Sequence, residues 1–348
     1  VNRRQFLFGA MGMLAVPNLD LQGLTPSQDT SRLRVKRFET DRFDVVLGGQ
    51  EKFRILQLTD THFGTAAPDA RIKDRMSETL IRGLVEEHRP DFIFHTGDFI
   101  NNDRENPEFG ALDFMNSLGV PWSVVFGNHD HPNGKSGQKS LEQYYEGLKG
   151  ATVGFADKGA GGRDYCFRID LRRENSKPFA SLLAFNTGDP QSGMKVNATQ
   201  TEWFRKQLAT DQAKGIDCPF LVMQHIPTIE YHEVFEQKLA IGRRGEAVCF
   251  EIDKGEIFSQ YVDSKRVRAV FCGHDHVNDY TGIYRDVALV YGRCSGFNGY
   301  GDWHRGGRLI DIDVRTGRGE TRVVLADQAV EKSEWSSTLE KWKLESAG

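Results

Sequence analysis

Five short clusters of Asp, Asn and His punctuate the chain, each placed directly after an apolar run. They are "DTH" (Asp60, His62), "GD" (Gly97, Asp98), "GNHD" (Gly127 to Asp130), "QH" (His225) and "GHDH" (Gly273 to His276). They offer carboxylate and amide oxygens and imidazole nitrogens but no thiolate, a donor set that suits Mn, Zn or Fe and argues against a closed structural zinc. Residues i and i+2 of an extended segment point to one side, so Asp60 with His62, and His274 with His276, can each present two ligands to one small volume. The set exceeds what one ion takes and suits two ions with Asp98 as a shared bridge. Two metals about 3.5–4 Å apart acidify a shared water and clamp the attacking and leaving oxygens of a displacement at phosphorus. Two carboxylates and a neutral Asn128 under-neutralise such ions, and the surplus positive charge attracts a phosphate.

The rest of the chain must position these clusters. "KFRILQLTD", "DFIFHTGD" and "PWSVVFGN" read as strands that end in them, and further strands are expected at "SLLAFNTGD", "PFLVMQH", "RVRAVFCGH", "VALVYGR" and "GGRLIDIDV". Between them "ARIKDRMSETLIRGLVEEHRP" is an amphipathic helix with Ile72, Met76, Leu80 and Leu84 every fourth residue, stopped by Pro90. Helices are also expected at "TQTEWFRKQLATDQ" and "KGEIFSQYV", and a C-terminal one, within 328–348, with Trp335, Leu339 and Trp342 at helical spacing. Strand ends of an open α/β sheet are where ligands bind.

Composition sets the outer limits. The 348 residues carry a formal charge of −4, giving no basic field for nucleic acid and pointing to a small substrate. Five cysteines lack any C-x-x-C spacing; at most two disulfides can form, and Cys272, inside an apolar run, is expected to be a buried thiol. Residues 1–32 differ in character from the remainder of the chain: Arg3 and Arg4 precede an apolar run from Phe6 to Val16 that breaks at Pro17. That layout is an export signal plus linker, too short to span a bilayer as an ordinary helix, and the paired arginines resemble the twin-arginine motif. Periplasmic or extracellular localisation is expected, with the twin-arginine export machinery as a partner and membrane anchoring only through an uncleaved segment.

The order D-x-H, GD, GNH(D), H, GHxH resembles the calcineurin-like metallophosphoesterase superfamily. "GNHD", "VMQH" and "GHDHVND" bring the chain near its purple acid phosphatase-like branch. The resemblance implies a four-layer α-β-β-α sandwich with two mixed sheets over 33–327. It implies one ion on Asp60, His62, Asp98 and His276 and a second on Asp98, Asn128, His225 and His274. It also implies hydrolysis of phosphate monoesters by a metal-bound hydroxide, with His129 assisting the leaving oxygen and Asp130 orienting His129; Asn101 is a second candidate for the assisting role. Purple enzymes have a metal-binding tyrosine three residues after the bridging aspartate, and here that position is Asn101, so a colourless, His-ligated site is expected. A phosphodiesterase acting on nucleotides or lipid headgroups is the alternative activity, and a non-catalytic interaction module on the same scaffold the alternative class. Among secondary residues, His131 and His304 are candidates to line the pocket and His95 reads as structural. Tyr291, Phe297, Tyr300 and Trp303 form either an aromatic wall or a core turn, and Arg243 and Arg244 read as a solvated pair.

Overall fold

In a computed structural model of the protein the residues described are 33–39, 41–64, 70–102, 110–132, 140–149, 154, 165–190, 193–250, 256–325 and 340–342. The expected export signal and linker lie outside them, as does most of the expected C-terminal helix. Strands and helices are numbered in chain order. Among the described residues one sheet runs β1 (Leu33–Glu39), β2 (Arg42–Leu47), β6 (Cys166–Arg173), β7 (Pro178–Phe185), β8 (Phe220–Met223), β10 (Val267–Cys272), β12 (Val287–Tyr291), β11 (Thr281–Tyr284), β9 (Ala240–Ile241). The other runs β15 (Glu340–Trp342), β14 (Gly319–Leu325), β13 (Gly306–Asp313), β3 (Lys52–Leu58), β4 (Phe92–His95), β5 (Trp122–Val124). The helices are α1 (Ala70–His88), α2 (Gly110–Ser117), α3 (Leu141–Lys149), α4 (Ala198–Lys214), α5 (Glu230–Glu236) and α6 (Glu256–Ser264).

Period-two alternation divides the central strands between two cores. Leu182 and Ala184 of β7, Leu221 and Met223 of β8, and Ala269 and Phe271 of β10 share one cluster with Leu56, Leu58, Phe94 and Ile310 of the other sheet. Their neighbours Leu183, Phe185, Phe220, Val222, Val270 and Cys272 face outward onto Trp203 and Phe204 of α4, Tyr231 of α5 and Phe258 and Tyr261 of α6. Helix α1 packs along β13 of the other sheet. This is the expected four-layer sandwich with two mixed sheets.

Within it β3, β4 and β5 are parallel, and so are β7, β8, β10 and β12. Leu58 pairs with His95 and His95 with Val124; Ala184 pairs with Met223 and Met223 with Phe271. Within each sheet the polar clusters therefore leave their strands at the same end.

Several elements differ from the sequence reading. Residues 340–342, expected as helix, form β15, with Trp342 opposite Gly319 of β14. Strands β1, β2, β6, β9, β11 and β14 and helices α2, α3 and α5 were not evident. β6 buries Arg168 and Asp170 on its helix-facing side, which breaks the apolar pattern a strand normally announces. In α1 only Leu80 and Leu84 of the four-residue stripe are buried, joined by Ile81, whereas Ile72 is 63% and Met76 44% exposed. All five cysteines are free, Cys272 buried as expected and Cys249 exposed. Among the described residues no helix is long and apolar enough to cross a membrane.

Burying Arg168 requires compensation, and it is complete. Its guanidinium donates to Asp170 at 2.7 Å, to both oxygens of Asp211 on α4 at 2.9 and 3.0 Å, and to Ser181 on β7 at 3.1 Å. Arg266 donates to the same Asp211 at 3.0 Å. Asp211→Ala leaves two guanidiniums facing a buried gap. Denaturant titration is expected to show a loss of about 3–5 kcal/mol, the usual cost of removing one partner from a buried ion pair; an effect below about 1 kcal/mol, as for an exposed pair, would contradict this account.

Candidate metal centre

The loops that come after β3 and β4 run side by side. Asp60 N–H donates to the Gly97 carbonyl at 3.0 Å, His62 N–H to that of Asp98 at 2.9 Å, and Phe63 N–H to that of Phe99 at 3.0 Å. Asp60, His62 and Asp98 all have φ near +50°, and His274 has φ +80°. The extended i, i+2 geometry expected for both pairs is therefore not what aims these side chains. A left-handed turn does so instead, a conformation non-glycine residues adopt at some energetic cost.

The turns bring together the residues that the spacing singled out. Donor atoms of Asp60, His62, Asp98 and His276 lie within 4.8 Å of one another, and so do those of Asp98, His225 and His274; Asp98 belongs to both groups. His62 Nε2 is 3.2 Å from His276 Nε2, His274 Nδ1 is 3.3 Å from His225 Nε2, and Asn128 Oδ1 is 3.2 Å from that same Nε2. His276 and His274, separated by a single residue, thus fall in different groups. Asp275 between them turns away and accepts from Tyr291 Oη at 2.6 Å and Cys249 N–H at 3.2 Å.

Protonation favours a cation. Burial lowers His62 to about 4 and His274 to about 3, so both rings are neutral near pH 7. Burial raises Asp60 and Asp98, but the histidines override it: His276 and His225 pull Asp60 down, and His225, His62 and His129 pull Asp98 well below the usual carboxylate range. His225, pulled down by burial, is raised to about 9 by Asp98 and then Asp60; a cation between them competes with that proton. The outer nitrogens settle the tautomers. Asn101 donates its amide N–H to the His62 carbonyl at 3.2 Å and accepts from His62 Nδ1 at 2.7 Å, leaving Nε2 with its lone pair. His225 Nδ1 donates to the Thr96 carbonyl at 2.9 Å and turns Nε2 to the cluster. The residues present fit a pair of ions.

Other expectations resolve differently. Asn101, the second candidate for the assisting role and the position where purple enzymes have tyrosine, is buried with both amide atoms bonded to His62. Asp130, expected to orient His129, accepts from the backbone N–H groups of Gly127 at 2.7 Å, Ile100 at 2.8 Å and Phe99 at 3.2 Å, which fastens the "GNHD" turn to the "GD" loop. Burial, then Asp98, raises its carboxyl to about 7. His95 is structural as expected, 2.9 Å from Thr61 Oγ1. His131 is buried with Nδ1 4.0 Å from Asp189, while His304 is exposed. Tyr291 is core, whereas Tyr300 stacks on His276 at 3.9 Å. Arg243 and Arg244 are not a solvated pair: both are half-buried, Arg243 over Trp303 at 4.3 Å and Arg244 over Phe235 at 5.1 Å.

One supporting cluster escaped the sequence reading although its signal was present. β7 ends in Asn186-Thr187-Gly188-Asp189, a sixth strand-end cluster without a histidine. Thr187 Oγ1 accepts from the His225 and Ile226 N–H groups at 3.2 and 2.9 Å, and Asn186 Oδ1 accepts from Phe126 N–H at 2.7 Å. Gly188 abuts the "GNHD" turn so closely that a Cβ there would lie 2.0 Å from the Gly127 carbonyl carbon. The hold on His62 generates a prediction. Asn101→Ala is expected to weaken metal binding about 10–100-fold, the usual effect of removing a hydrogen-bond partner behind a ligand, and to cost the apo-protein about 1–3 kcal/mol for the buried groups left unpaired; calorimetric titration checks the binding, and unchanged affinity would remove Asn101 from the site.

Comparison with known proteins agrees with this geometry. The chain is 29% identical over 308 residues to a protein named probable inactive purple acid phosphatase 28 of Arabidopsis thaliana, covering 76% of each chain. It is 24% identical to the yeast Saccharomyces cerevisiae protein named phosphatase DCR2, over 66% of this chain and 45% of that one. Its fold is similar to that of a Danio rerio dimetal phosphatase, with a TM-score of 0.55, 13% identity, and 85% of this chain and 99% of the other covered. The family model described as calcineurin-like phosphoesterase matches residues 53–278, a span that holds all five polar clusters and ends two residues beyond His276, and the chain belongs to that family.

Proposed function

We propose that the protein is a metal-dependent phosphoesterase acting on phosphate monoesters. It would hold one ion on Asp60, His62, Asp98 and His276 and another on Asp98, Asn128, His225 and His274. The observation that carries the reading is the position of Asp98, a fully buried carboxylate common to both groups of converging donors. Bound there, two ions would neutralise charge on the phosphoryl oxygens and acidify a water. The donor set suits Mn, Zn or Fe. With Asn101 where purple enzymes place tyrosine, protein loaded with iron is expected to be colourless.

The chain's own residues set the rest. Asp98 Oδ1 accepts from the His129 N–H at 2.9 Å, which fixes the start of that side chain beside the shared carboxylate. The His129 ring lies 5.1 Å from the His62 ring, is half-buried, and belongs to neither ligand group. An imidazole so placed can hand a proton to the departing oxygen. Likeness to proteins named purple acid phosphatases supports monoesters over diesters. The word inactive in those names favours a second reading, a non-catalytic module on the same scaffold; Asp98, Asn128 and His129, all present here, favour the enzyme. Arg3 and Arg4 ahead of the apolar run support export through the twin-arginine route.

Metal-loaded protein is expected to cleave an aryl monophosphate faster than an aryl phosphodiester. His129→Ala should lower kcat about 10²–10⁴-fold, the range for loss of a general acid, with bound metal unchanged. Asp98→Asn should abolish turnover and reduce bound metal from two ions to one or none. No cleavage of either ester by wild-type protein carrying two ions would leave the non-catalytic module standing.

A further inference from the structure

Three of the rings that converge on the site differ in how their far side is held. His62 has Asn101 behind its Nδ1, and His225 has the Thr96 carbonyl. His276 has nothing of the kind: its Nδ1 is buried and has no hydrogen-bond partner among the described residues, while its Nε2 faces His62 Nε2 at 3.2 Å and Asp60 Oδ1 at 3.4 Å. A ligating histidine almost always donates its other N–H to a carboxylate, carbonyl or water, which fixes ring and tautomer. Among the described residues the contact on this ring is of another kind.

Tyr300 supplies one. Its ring lies face to face with His276, centroids 3.9 Å apart and planes 16° from parallel. Gly299 closes the edge; a Cβ there would come within 2.7 Å of His276 Nδ1, so only glycine lets the loop pass this close. The loop is itself fixed from behind: Nη2 of buried Arg305 lies 2.9 Å from the carbonyls of Gly299, Tyr300 and Gly301, which share its two N–H donors. On the outer side Tyr300 Oη donates to Glu246 Oε2 at 2.8 Å, and Glu246 Oε1 accepts from Val277 N–H, next to the ligand, at 3.0 Å. Tyr300 is 53% exposed, so this well-braced ring is not there to fill a core.

We propose that Tyr300 is a positioning residue for His276, its stacked ring replacing the missing hydrogen bond and holding Nε2 toward Asp60 and His62. The inference rests on the metal-binding reading of the same cluster and adds to it the residue that sets the affinity of one ion of the pair. The ion on Asp60, His62 and His276 depends on the stack; the ion on Asn128, His225 and His274 does not. Tyr300 Oη also accepts from the His276 N–H, at a long 3.4 Å; a phenyl ring stacks as a phenol does, so the π face is the working part and the hydroxyl contacts to His276 N–H and Glu246 are secondary.

The test is calorimetric titration of Mn(II) into the metal-free full chain, with the spectrum of the coupled Mn(II) pair as a second readout, for wild type, Tyr300→Phe, Tyr300→Leu and Tyr300→Ala. Wild type and Tyr300→Phe should take up two ions with like affinity and give the coupled-pair spectrum. Tyr300→Ala and Tyr300→Leu should weaken one ion about 10–100-fold, as loss of outer support for a ligand does, leave the other unchanged, and show isolated Mn(II) at low metal. Melting of the metal-free variants should match wild type, since the side chain is half exposed. Leu or Ala variants that bind both ions as wild type does would overturn the inference alone, and so would a Phe variant that loses as much as Ala. A wild-type chain that takes up no metal would overturn the inference together with the reading beneath it.

Discussion

Asp98 is the constraint around which the rest is arranged. It is a carboxylate with no access to water, and a second buried carboxylate, Asp60, stands close enough to raise its energy further. Two like charges in a low-dielectric interior ionise together only when positive charge or oriented donors surround them. The chain meets that demand with imidazoles and backbone N–H groups. His62 and His225 approach Asp98 to 3.6 and 3.3 Å, the His129 N–H donates to it, and the His274 N–H reaches Asp60 at 3.2 Å. Such an arrangement has the charge and donor set that could hold a cation.

These donors come from two sheets, so their convergence depends on how the sheets are braced. The path can be traced residue by residue. Asn197 caps α4 and its partner Gln200 completes the capping box; Gln200 then donates onward to the Asn186 carbonyl at 2.8 Å, and Asn186 holds Phe126 just ahead of the "GNHD" turn. At the far end of α4, Asp211 locks the helix to Arg168 of β6 and Arg266. A helix cap, a buried ion-pair network and a metal ligand loop are thus one mechanical chain.

Much of this was legible in the sequence because strand ends are local signals. An apolar run that stops in a cluster of Asp, Asn and His states both the element and the place where its ligands leave it, which is why Asp60, His62, Asp98, Asn128, His225, His274 and His276 emerge from spacing and resemblance together. Partners chosen across long stretches of chain left no such mark. Tyr300 and Glu246 meet His276 and Val277 only after folding, and nothing near Asn101 announces that its amide would face His62. β6 hid because buried Arg168 and Asp170 look like surface charges until their partners are known. Asp130 misled in the opposite way: a carboxylate beside a candidate acid reads as chemistry, whereas three backbone N–H groups make it a fastener.

The left-handed backbone at Asp60, His62, Asp98 and His274 ties the conformation of each loop to the packing around it. Each such residue holds the chain in a region that costs on the order of 1–3 kcal/mol unless the surroundings enforce it. Glycine adopts that region without the steric cost, though it gives up more backbone entropy on folding, and Asn tolerates it better than His. At positions 62 and 274 that relief is offset: glycine there also removes an imidazole that faces the buried carboxylates, so strained backbone and charge support belong to the same two residues.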